Sequence, residues 1–148
     1  MYIKSIMLID KGAVCMKLST KSEYSLLALI YLARHQEQGF VKISDICDNY
    51  GISKKYLELL LSVLKQNKYI KAKRGTDGGY MLARPANTIC LTEIIRLMDG
   101  ALAATESVSK FFYSETPLMQ EAGVISIFKE VRDMISNKLE NIFLSDLT

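Results

Sequence analysis

Eight cationic side chains, Lys54, Lys55, Lys65, Lys68, Lys71, Lys73, Arg74 and Arg84, fall between residues 54 and 84, and only Glu58 and Asp77 oppose them. Cations at this density match phosphates. Each one seated on a nucleic-acid backbone releases a condensed counterion, which gives affinity that falls with salt. A solvated face without a partner is the competing reading, and the stripe alone leaves both open. Residues 16–85 hold twelve cations and six anions, whereas residues 86–148 hold five and nine. The formal net charge of +3 therefore conceals a basic stretch followed by an acidic one. That split points to an anionic partner for one region only, and nucleic acid is the commonest such partner.

Within the stripe, Ser53, Lys54, Lys55, Tyr56 and Glu58 stand at the start of a predicted helix. The N-terminal residues of a helix laid in the major groove meet base edges. The Ser53 hydroxyl has a second use as a helix cap. Glu58 repels phosphate, which makes sense if its carboxylate accepts from cytosine N4 and so discriminates sequence. A surface pair with Lys54 or Lys55 one turn back explains it equally well. Lys73, Arg74 and Gly75 lie at the tip of a predicted hairpin, from which a guanidinium reaches a minor groove and Gly75 permits close backbone approach. The glycines there form no phosphate-cradling G-x-x-x-x-G-K-[ST] pattern and are explained by the turn itself.

Other reactive side chains offer little. Cys15, Cys47 and Cys90 lack metal-ligand spacing, and Cys47 and Cys90 read as small core hydrophobes. Their odd number and wide spacing fit a reducing cytosol, so a cytoplasmic location is expected. His35, the only histidine, closes a helix, where the dipole favours it over metal or catalytic use. No Ser/His/Asp, Cys/His or paired-carboxylate arrangement anchors an enzymatic reading, and no cofactor or metal is expected.

The chain has 148 residues, 49% of them hydrophobic and 24% charged, enough for one domain with an appended element. No apolar run approaches the roughly 18 residues that span a bilayer, and Asp10 and Lys11 interrupt any secretory core. Residues 1–15 read as an extension or as a strand docked on the body. Thr20-Lys-Ser-Glu23 fits a capping box opening a helix to about His35. Ser44 is expected to cap a short helix stopped by Gly51, and Ser53 a longer one with Leu57, Leu60, Leu61 and Leu64 as its apolar stripe. A short helix, a tight turn and a longer basic helix is helix-turn-helix grammar. Residues 69–84 then read as a hairpin, with Ile70, Ala72, Tyr80 and Leu82 on one face and Gly75, Asp77, Gly78 and Gly79 as its positive-φ residues. After Pro85, Thr92 is placed as the cap of a helix closed by Gly100, and residues 101–120 as a loop. A last helix over roughly 120–144 carries Val124, Ile127, Phe128, Val131, Ile135, Leu139 and Ile142 at three- and four-residue steps.

The stretches MKLSTKSEYSLLALIYLA (16–33), ISKKYLELLLSVLKQNKYIKAKRGTDGGYMLARP (52–85) and CLTEIIRLMDG (90–100), with the closing Leu144-Ser-Asp-Leu147, resemble the Rrf2 family of iron–sulfur-cluster and cysteine-metabolism regulators over about residues 16–148. The resemblance implies a mainly α winged helix-turn-helix fold with a small β-hairpin wing, and a homodimer whose long last helix crosses its partner. It implies Ser53, Tyr56 and Glu58 as major-groove readers, Arg74 and Gly75 as the wing contact, and Thr20 and Lys21 as backbone-binding positions. Leu59 stands where many members carry Gln, which bears on the target sequence, and Thr76-Asp77 replace the usual Pro-Gly. Cluster-binding members carry three cysteines before the long helix; residues 101–123 here contain none, with Ser107 about where the first would be. The resemblance is therefore to the cysteine-metabolism branch, which responds through a partner protein.

The expected molecule is a dimeric DNA-binding repressor, with an N-terminal extension (1–15), a winged helix-turn-helix domain (16–85) and a linker, loop and dimerisation helix (86–148). Its expected partners are double-stranded DNA, a second copy and a regulatory protein, with no membrane. Two rivals are kept: a winged-helix module that binds protein instead of DNA, and a small-ligand sensor with Phe111, Phe112 and Tyr113 lining a pocket.

Overall fold

The computed structural model describes residues 18–110 and 112–148, so the expectations for residues 1–15, Cys15 and Phe111 lie outside the described residues. Helix α1 (Thr20–Arg34) leads into α2 (Ile43–Tyr50) and α3 (Lys54–Gln66), then strands β1 (Ile70–Lys73) and β2 (Gly79–Leu82), α4 (Leu91–Asp99) and α5 (Ala122–Leu139). This is the expected mainly helical fold with one antiparallel hairpin. Among the described residues, no helix is long and apolar enough to cross a membrane.

Helix starts differ from expectation wherever a tertiary partner claims the chain. Ser19, not Thr20, caps α1: its hydroxyl accepts from the Ser22 amide at 3.3 Å. The same hydroxyl donates to the Asp99 carboxylate, as does the Ser19 amide at 2.9 Å, so the cap also ties α1 to the end of α4. Helix α2 starts at Ile43 behind Lys42, with no side-chain cap, and Ser44 spends its hydroxyl on Asp45 at 3.3 Å. The cause lies one residue upstream. Val41 exchanges both backbone hydrogen bonds with Tyr80 at 2.8 Å, which holds the chain extended until the helix begins. In α4, Cys90 holds the cap position, and Thr92 is a buried helical residue paired with the Cys90 thiol at 3.1 Å.

In the hairpin, Ile70 faces Leu82 and Lys73 faces Gly79. Ile70 and Leu82 are buried, but Ala72 is exposed, contrary to the alternation read from sequence. Gly75 and Gly79 adopt positive φ; Asp77 and Gly78 do not. Gly79 is required twice over: its φ is 151°, and a Cβ there would sit 2.3 Å from the Val41 carbonyl oxygen. That close approach fastens the wing to the start of α2.

The core gathers Leu29 and Leu32 of α1, Ile46 of α2, the Leu57, Leu61 and Leu64 stripe of α3, Ile70, and Ile94 of α4. Helix α5 ends at Leu139, short of the expected 144, so Ile142 lies beyond it. The chain then returns to the body. The Ile142 carbonyl accepts from Leu91 N–H at 2.9 Å, Leu144 N–H donates to Ile89 at 3.0 Å, and the fully buried Leu144 side chain joins the core. A tertiary use for Leu144 thus ends the helical run that its spacing suggests.

Candidate nucleic-acid interface

Helix α3 starts on Ser53, whose hydroxyl accepts from Tyr56 N–H at 3.3 Å. The cap fixes where Lys54, Lys55 and Glu58 emerge, and all three are exposed. Tyr56 is half-buried, its ring edge-on to Tyr24 of α1 at 5.9 Å. That contact brings the first turns of α1 and α3 together. The exposed Thr20 and Lys21 therefore lie at the same end of the molecule as the start of α3. No ion pair among the described residues involves Glu58, so its carboxylate is not taken up by Lys54 or Lys55.

Lys73, Arg74 and Gly75 are exposed at the wing tip, with the Lys73 ammonium 5.8 Å from the centre of the Phe40 ring. Between α3 and the wing runs an open groove lined by Lys42, Lys54, Lys65, Lys73 and Arg74, with no carboxylate in its walls. None of these five cations forms an ion pair among the described residues. Uncompensated like charges in a concave surface raise the local potential and draw a polyanion. Of these five, Lys54, Lys73 and Arg74 are the expected contact residues; Lys65 is expected only as part of the cationic stripe, and Lys42 is not singled out. Lys42 comes from another element, brought in by the Val41–Tyr80 pairing, and Lys65 lies three turns along α3. Arg84 leaves the stripe: its guanidinium stacks 5.2 Å over Tyr69, reaches Glu93 at 3.4 Å and donates to the Thr88 carbonyl.

The remaining sequence candidates are placed apart from this surface. His35 donates from Nδ1 to the Tyr31 carbonyl at 2.8 Å and stacks on the Tyr31 ring at 4.1 Å, a helix-end role. Cys47 is half-buried; burial and then the Asp48 charge push its thiol up. Cys90 is buried, its thiol 3.3 Å from the Glu140 carbonyl. Among the described residues, no group of three or more His, Cys, Asp or Glu side chains could hold a metal ion.

On α5, Val124 and Ile127 are exposed, and Phe128, Val131, Ile135 and Leu139 are half-buried. Met134, which is not among the expected interface residues, follows Val131 by three and Ile127 by seven and is 72% exposed. The opposite side of the helix holds the loop, through Arg132 donating to the Val108 carbonyl at 2.7 Å. In that loop Ser107 and Ser109 are buried; Thr116 donates to Ser107 at 3.1 Å, and Ser109 accepts from Phe112 N–H at 2.9 Å. Phe112 and Tyr113 are exposed.

The Rrf2 family, described as an iron-dependent transcriptional regulator, matches residues 18–148. The chain is 31% identical over 132 residues to the HTH-type transcriptional regulator IscR of Pectobacterium atrosepticum, covering 89% of this chain and 79% of that one. With the regulator of the same name from Xenorhabdus nematophila it shares 38% identity over 95 residues, 64% of this chain and just over half, 58%, of that one. The solved structure of CymR (YrzC), the global cysteine regulator of B. subtilis, superposes with a TM-score of 0.71 at 30% identity, covering 88% of this chain and 95% of that one.

Proposed function

We propose that this chain, which belongs to the Rrf2 family of DNA-binding transcriptional regulators, works in the cytoplasm as a homodimeric, sequence-specific repressor that carries no iron–sulfur cluster. The observation that carries the reading is the five-cation groove beside a capped helix whose Glu58 forms no ion pair among the described residues. We assign Lys54, Lys55 and Glu58 to the major groove, with Ser53 and Tyr56 shaping the entry of α3, and Lys73, Arg74 and Gly75 to the wing contact. Thr20 and Lys21 take the backbone beside them. Glu58 supplies discrimination, because a carboxylate facing bases accepts from cytosine N4 and rejects acceptor edges.

Residues 16–85 form the reading half in this proposal, and residues 86–148 pair the protomers. Support for pairing comes from an apolar row in which Val124, Ile127 and Met134 are exposed among the described residues, with the half-buried Val131 between them. A second copy covers it by the same face, with two recognition helices then meeting a palindrome. Repression follows from a dimer that covers promoter DNA. The regulating signal is assigned to a partner protein, on the resemblance to the cysteine-metabolism branch that the cysteine-free loop carries.

The absence of a cluster rests on donor chemistry. Iron–sulfur clusters are held by thiolates. The loop at the corresponding place offers the hydroxyls of Ser107, Ser109 and Thr116, already bonded within the loop, and the two described thiols sit in α2 and at the start of α4. These residues do not fit a cluster.

Titration of labelled duplexes selected from a random pool tests the reading. Wild type should bind a palindrome with a steep salt dependence. Glu58→Ala should keep non-specific affinity and lose the preference. Val131→Asp should give a monomer in sedimentation. Salt-independent binding, or a dimer surviving Val131→Asp, overturns the corresponding part.

A further inference from the structure

The exposed face of α3 is formed by Lys55, Glu58, Leu59 and Ser62, at i, i+3, i+4 and i+7. Three of the four are polar. Leu59 is 61% exposed, and every other strongly exposed large hydrophobic among the described residues lies between residues 112 and 134. The other leucines of α3 are accounted for by the core: Leu57, Leu60, Leu61 and Leu64 are all buried. Most of the Leu59 side chain is therefore left uncovered by the described residues, at a place where any good helix former would serve the helix equally.

Helical side chains lean toward the helix N-terminus, so Leu59 covers the surface beside Lys55, one turn nearer the start of α3. That is the end from which base edges are met. Glu58 stands beside it. Of the groups that line the major groove, the only apolar one is the C5-methyl of thymine. An isobutyl group on this face has no hydrogen bond to offer and one chemical complement there.

We propose that Leu59 is a specificity-determining residue whose side chain packs on a thymine methyl next to the base pair read by Glu58. The assignment rests on the DNA-reading function above and adds one base to it. Burying one methyl is worth about fourfold in affinity, so a palindrome with both half-sites engaged should feel about fifteenfold.

The test uses the full chain. Bound duplexes are selected from a random pool with wild type, Leu59→Ala and Leu59→Gln. Each thymine of the wild-type site is then replaced by uracil, which removes the methyl alone. The expected result is one symmetric thymine pair whose replacement weakens wild type about fifteenfold and leaves Leu59→Ala within about twofold. Leu59→Gln should exchange the preference at that position for another base while binding DNA as tightly overall. If wild type binds every uracil-substituted site as tightly as the original, or if Leu59→Ala keeps the penalty, the assignment is overturned while sequence reading stands. If wild type enriches no sequence, both fall together.

Discussion

Neutralising Lys65 separates the groove described above from a generic positive surface. Lys65 is exposed in the last turn of α3, lines the groove with Lys73 and Arg74, and forms no ion pair among the described residues. Replacement by Gln keeps helix propensity and most of the side chain, and removes one charge. Each phosphate neutralised adds about 0.9 to the slope of log affinity against log salt. A bound dimer carries the change twice, so the slope should flatten by about 1.8. Over a fourfold rise in salt, about 0.6 log units, wild type should then lose about tenfold more affinity than Lys65→Gln. Anisotropy titrations of one labelled duplex at four salt concentrations read this directly. Lys138→Gln, in the last turn of α5, is the control and should leave the slope alone. An unchanged slope for Lys65→Gln, or equal flattening by both variants, refutes the groove as the DNA track. Flattening by only about 0.9 refutes the second protomer's engagement.

Three further expectations concern stability. Lys68 holds φ 63° and closes α3 with Lys68 N–H on Lys65 and Tyr69 N–H on Leu64, both at 3.0 Å; Lys68→Gly should therefore stabilise by about 1 kcal/mol in urea unfolding. Leu144→Ala removes a fully buried side chain from the core and should cost about 2–5 kcal/mol by the same measurement. Burial tends to raise the Asp99 carboxyl, but hydrogen bonds from the Ser19 hydroxyl and amide outweigh it and hold the carboxyl below its ordinary value. A depressed folded value means that this stability is present above the ordinary carboxylate range, near pH 4, and is lost as pH falls through the folded value. Asp99→Asn should flatten that part of the stability profile measured by thermal unfolding between about pH 2 and 6.

Elements that carry their own pattern were legible in the chain. The α3 stripe, its Ser53 cap and the α2–α3 turn at Gly51 depend on residues within a few positions of each other, and the structure places them as read. The errors fall where long-range contacts decide. Ser19 displaces Thr20 as a cap because Asp99, 80 positions on, needs the same hydroxyl. Ala72 fits a period of two and still faces water, because the short hairpin covers only its Ile70 end. Arg84 reads as one more cation for DNA until Tyr69 and Glu93 claim it. Lys42 is invisible as a site residue, since only the Val41–Tyr80 pairing brings it to the wing.

The same long-range contacts bear on how two reading heads are spaced. Helix α5 leaves the body at a junction where Arg96 reaches Glu140 at 2.8 Å and Ser136 donates to the same carboxylate at 2.7 Å. The Arg96 contact first, and then Ser136, hold the Glu140 carboxyl below its ordinary value. Just beyond, Phe143 pairs with Cys90 and Leu144 is seated in the core. The helix proposed to pair protomers is thus fastened at its C-terminal end to α4, and α4 is fastened through Asp99 to the cap of α1, beside α3. Each link is a hydrogen bond, an ion pair or a buried side chain. In the proposed dimer, the distance between the two recognition helices is set through this chain of contacts, and a change at the α4–α5 junction would alter half-site spacing without touching DNA.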